Sequence, residues 1–128
     1  MKFSRFIQIY PMAMAIPLHL LHLQCRLRIA DLNNYVNCLR IYNDFAQTDP
    51  QGHDLHERLA VFRAEIDSIS NELHLTKMSI AQLQRSGFKN SDDGFAMTEF
   101  QALLSRFSHL QNQLLLLERE LLEGDKVF

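Results

Sequence analysis

Apolar residues recur at alternating steps of three and four along two long stretches of this chain, and that spacing dictates helices packed on helices. Phe100, Leu103, Phe107, Leu110, Leu114, Leu117 and Leu121 form one such series. Leu55, Leu59, Phe62, Ile66, Ile69, Leu73, Thr76, Ile80 and Leu83 form another. A mean step near 3.5 keeps close to the 3.6-residue turn, so each series lies along one side of a helix. A strand would need a period of two, and neither stretch has it.

A first helix is predicted from Pro17, a residue suited to a helix start because its missing N–H costs nothing there. Its stripe is Leu18, Leu21, Cys25, Ile29, Leu32, Val36, Leu39 and Tyr42. Leu20, Leu23 and Leu27 lie off that stripe, so the first turns are apolar nearly all round and are expected to be buried on more than one side. Asn33, Asn34, Asn37 and Asn43 then read as an outward polar face. Thr48-Asp49-Pro50-Gln51-Gly52 breaks the pattern, with Asp49 as cap and Pro50 as first helical residue. Gly87 is placed to end the second helix in the left-handed conformation. Thr98-Glu99-Phe100-Gln101 reads as a capping box for the third, which is expected to stop at Gly124. On its surface the second helix offers Asp54 and Arg58 as an i, i+4 pair.

The expected fold is therefore all-α: one domain of three long antiparallel helices running up, down and up, over residues 17–47, 50–86 and 95–123. An irregular apolar arm, residues 1–16, precedes them. With 128 residues and 47% hydrophobic content, a single domain with a real core is expected. Phe6 to Cys25 holds no charged residue for twenty positions, the length of a bilayer span. Gln8, His19, His22, Gln24, Pro11 and Pro17 interrupt it. Lys2 and Arg5 ahead of Ala13-Met14-Ala15 also resemble a cleavable leader. The reading adopted is a segment packed on protein, with lipid contact of residues 6–25 as the alternative.

A net charge of −2 argues against nucleic acid as a partner. Residues 1–48 carry five Lys/Arg against two acids, giving +3, and residues 49–128 carry eight against thirteen, giving −5. Cys25 and Cys38 lie thirteen apart in one helix, about 20 Å along its axis, too far for a disulfide between them. Reduced thiols and a cytoplasmic location are expected. His19, His22 and Cys25, and His53 with His56, have spacings that can place metal ligands on one face. No Cys-x-x-Cys, His-Glu-x-x-His or Glu-x-x-His accompanies them. No nucleophile elbow or phosphate-binding loop occurs either. No enzyme activity, cofactor or metal is expected.

The apolar excess carries the functional expectation. Over Leu110–Leu122 four of every seven positions are apolar, where a seam needs two. The expected interaction surface is Phe100, Leu103, Leu104, Phe107, Leu110, Leu114, Leu115, Leu116, Leu117, Leu121 and Leu122, with Leu20, Leu23 and Leu27 of the first helix. Either the other two helices cover these residues, or a second copy or another protein does. The leading expectation is an adaptor or scaffold subunit that dimerises or joins a larger assembly. A small chaperone or secretion accessory holding a partner helix in an apolar groove is the alternative, and a metal- or cofactor-binding bundle is the third.

Overall fold

The heptad seams fold as their spacing requires. The computed structural model describes residues 16–48, 52–91 and 97–127. They form α1 (Leu18–Thr48), α2 (Gly52–Arg85) and α3 (Met97–Val127). The arm up to residue 15 and the Asp49-Pro50 cap lie outside the described residues. Residues that meet across α2 and α3 run in opposite directions along the chain: Arg58 meets Glu120, and Arg106 meets Glu65 and Glu72. Across α1 and α3 they run in the same direction: Arg28 lies over Phe107, and Tyr35 meets Gln111. The path is up, down, up.

Each predicted stripe faces inward. Leu18, Leu21, Cys25, Ile29, Leu32 and Leu39 of α1 are buried, as are Leu55, Leu59, Ile66, Ile69, Leu73 and Ile80 of α2. Phe100, Leu103, Phe107, Leu110, Leu114 and Leu117 close the core from α3. Val36, Tyr42, Phe62, Leu83 and Leu121 pack at its edge. Each fully buried leucine or isoleucine contributes about 1.5–3 kcal/mol, so one copy of the chain already builds a complete core.

Local chemistry sets the ends. Gly87 has φ +94°, a conformation that a Cβ disfavours. Its N–H donates to Gln84 O at 3.1 Å and the Phe88 N–H to Leu83 O at 3.0 Å, the pair of bonds of a Schellman cap. The chain leaving this cap turns back onto the start of α1. Leu18 N–H donates to Lys89 O at 2.8 Å, Ser91 N–H to Ile16 O at 2.9 Å, and Ile16 N–H to Ser91 Oγ at 3.0 Å. This clasp satisfies one of the amides that a helix start leaves unpaired. Pro17 stands just ahead of the helix, its carbonyl accepting from Leu20 and Leu21.

Two sequence expectations are corrected at α3. Thr98 is already inside the helix, which includes Met97, so it does not cap. The helix also runs through Gly124 to Val127. Glycine costs a helix about 1 kcal/mol relative to alanine and does not by itself end one.

Candidate interaction surfaces

The residues named from sequence divide by what covers them. Phe100, Leu103, Leu104, Phe107, Leu110, Leu114 and Leu117 are buried by the chain's own helices. Packing on α1 and α2 uses up the inward face of α3, so these side chains serve the core. Leu20 and Leu121 are half-buried. Leu115, Leu116 and Leu122 stay more than half exposed, and Leu23 and Leu27 nearly half. Ile41, Phe45, Val61, Leu75, Met78 and Phe88 join this uncovered set. Their signal in the sequence was weak, because most stand alone among polar neighbours.

Leu116 and Val61 sit in a groove between α2 and α3. Its volume is about 700 Å³, and Phe62, Ala64 and Leu110 complete its apolar lining. Ion pairs bridge it at two levels. Arg58 Nη1 meets Glu120 Oε2 at 2.9 Å, so Arg58 reaches across to α3 and not along α2. Arg106 Nη2 donates to Glu65 Oε1 at 3.0 Å and to Ser68 Oγ at 2.9 Å, and Arg106 Nη1 donates to Glu72. These bonds, that to Glu65 foremost, hold the guanidinium above its ordinary pKa. The pairs are partly exposed and screened, so their contribution is to register more than to stability. A smaller groove of about 410 Å³ lies between α1 and α2, with Arg40, Asn43, His56 and Arg63 among its polar lining.

The α1–α3 contact contains a buried cation. The Arg28 side chain is 7% exposed. Its guanidinium lies 5.1 Å from the centre of the Phe107 ring, and Nη1 meets Asp31 Oδ2 at 3.0 Å. With its amide oriented to present oxygen, Gln24 accepts from Arg28 Nε at 2.8 Å. Burial pulls the Arg28 pKa down, with Asp31 and Tyr35 pulling the other way. Tyr35 stacks on Phe107 at 6.0 Å between centroids and accepts from Gln111 Nε2 at 2.9 Å. Residues 24, 28, 31 and 35 recur at three and four on α1, so one strip of that helix meets α3.

The two thiols differ in setting. Cys25 is buried and Cys38 exposed, and neither is in a disulfide. Burial pushes the Cys25 thiol up to about 12, against a smaller downward pull from Lys77. At pH 8 its thiolate fraction is then about 10⁻⁴, and the thiolate is the reactive form. In dilute native protein Cys38 is expected to react with an aromatic disulfide reagent at least about 100-fold faster than Cys25. Denaturant should equalise the two. Equal rates before unfolding would contradict the burial of Cys25.

His19 faces solvent, His22 is half-buried and Cys25 points into the core, so the i, i+3, i+6 series fans away from any common point. Burial, then the charges of Lys77 and Arg26, lowers the His22 pKa. Among the described residues, no group of three or more His, Cys, Asp or Glu converges to hold a metal ion. The side chain of His53 lies outside the described residues. Among those residues, too, no helix is long and apolar enough to cross a membrane. Comparison with family models, characterised proteins and solved structures finds no match.

Proposed function

We propose that this chain is a helical protein–protein interaction module, an adaptor or scaffold subunit working by apolar contact. One observation carries this reading. The core closes within a single copy, yet among the described residues eleven large apolar side chains remain uncovered across α1, α2, α3 and the turn after α2. Val61 and Leu116 share one groove, and contiguous apolar patches beyond a few hundred Å² are uncommon on proteins that work alone. Two free thiols, one of them exposed, suit a reducing compartment such as the cytoplasm.

The groove between α2 and α3 favours a second reading, a small chaperone-like holder of a partner helix. It has an apolar floor and charged rims, the form in which amphipathic helices are recognised. Light scattering with a fluorescent apolar-surface dye tests the common premise. The expected result is a mass at or above twice 15.0 kDa, or a monomer that binds the dye strongly. A monomer at tens of micromolar that binds no dye would sink both readings.

A further inference from the structure

Helix α1 carries a second stripe that the core does not use. Leu20, Leu23, Leu27, Asn34, Ile41 and Phe45 follow one another at steps of three, four, seven, seven and four. Those steps hold to one side of the helix for about 38 Å at 1.5 Å per residue. Leu23 is 45% exposed, Leu27 48%, Ile41 63% and Phe45 40%. Ala30 and Cys38, which fill the sevens, are exposed as well. Asn34, near the middle, is the lone polar member.

We propose that this stripe is the interface between two copies of the chain, with their α1 helices antiparallel about a two-fold axis at the level of Leu32 and Asn33. The proposal rests on the reading of the chain as an interaction module and names its partner. A second copy is the occupant because the stripe reads nearly the same from either end. The antiparallel register that sets Leu20 against Phe45 also sets Leu27 against Cys38, and Leu23 within a residue of Ile41. A two-fold contact requires that reciprocity, since residue i of each copy must meet residue j of the other. Nothing requires it of a surface shaped for a different protein.

Charge acts on both directions and does not choose between them. Arg26 lies beside the first half of the stripe and Asp44 beside the second. Parallel pairing would oppose Arg26 to Arg26 and Asp44 to Asp44. Antiparallel pairing brings Asp44 towards His19 of the second copy and also sets Arg26 within a residue of that copy's Arg40. Glu118 acts on Tyr42, so it lies on the α1 side of α3. Leu115 and Leu122 share that side of α3, being four residues beyond Gln111 and Glu118. They widen the apolar face at the Phe45 end, where Leu20 and Leu23 of the second copy arrive. The uncovered parts of these side chains amount to several hundred Å² per copy, the scale of the ~800 Å² that each partner gives a standard interface. A lone polar residue within such a seam fixes register at some cost in affinity, the role that falls to Asn34.

Sedimentation equilibrium at up to 100 μM, on the wild type and three variants, tests this. The wild type is expected at twice 15.0 kDa. Leu27→Glu with Ile41→Glu should weaken the dimer at least about 100-fold, giving a monomer with unchanged helix content. Ala30→Glu, at an exposed position on the same stripe, should do likewise without touching the core. Val61→Glu with Leu116→Glu, in the α2–α3 groove, should leave the dimer intact. A dimer that survives both stripe changes overturns the proposed interface while the interaction reading stands. A monomeric wild type that binds apolar dye overturns the second copy as occupant, and a monomer that binds none overturns both.

Discussion

Phe107→Ala is expected to remove about 3–5 kcal/mol of stability, the usual cost of deleting a buried aromatic ring. The ring is 3% exposed, and it is the surface on which Arg28 and Tyr35 both rest. Its loss leaves a cavity where α1 meets α3 and strands a buried guanidinium without its aromatic face. A domain of this size has about 5–15 kcal/mol in total, so the variant should melt more than about 10 °C below the wild type. Leu116→Ala is the control. It removes about half as much side-chain carbon from a half-exposed site and should shift stability by no more than about 0.5 kcal/mol. Comparable losses from the two would contradict the assignment of one ring to the core and the other side chain to the surface. Helix content measured at low temperature should be the same in both.

Arg28→Ala is expected to cost about 2–3 kcal/mol, and Arg28→Met much less. The alanine variant loses the stem packing, the cation–π contact, worth about 0.5–2 kcal/mol, and the bond to Gln24. The ion pair itself contributes little, because the Asp31 side chain is 40% exposed and returns to water when its partner goes. Methionine refills the space on Phe107 with an apolar, polarisable chain and no desolvation cost. Thermal melts of the two variants side by side decide between packing and charge. If methionine proves as harmful as alanine, the charge and its hydrogen bonds hold this contact. If both are harmless, α3 does not rest on Arg28.

The inward faces were legible because burial repeats at the helical period: from Leu18 to Leu121 the apolar residues read as core are buried or packed at its edge, and Thr76, the polar member of the second seam, turns its hydroxyl to Glu72 O. Arg28 was not legible. A charge four residues from Gln24 and three from Asp31 reads as solvated by default, and Phe107, which makes its burial tolerable, is distant in sequence. Arg58 likewise chose Glu120 on another helix over Asp54 on its own. The clasp of Ile16–Leu18 on Lys89–Ser91 depends on where two helix ends meet, and local propensity does not encode it. The outer stripe of α1 was read only as far as Leu27. Asn33, Asn34 and Asn37 made the later turns look uniformly polar, and Ile41 and Phe45 rejoin the line of Leu20 and Leu27 only across that gap. Leu103 and Leu110 carry the same pattern as Leu115 and Leu122, and only the packed helices show which of them remain uncovered.

The distance between like positions in two associated copies distinguishes an antiparallel pairing of α1 from every other arrangement. A single spin label is placed at Asn33→Cys in one sample and at His19→Cys in another, with Cys38→Ser in both and Cys25 silent in the core. Antiparallel pairing of the outer stripe sets the two labels at position 33 within about 20 Å and those at position 19 about 40 Å apart, given 1.5 Å per residue along each helix. Equal short distances at both positions, or no intermolecular distance at either, would contradict it.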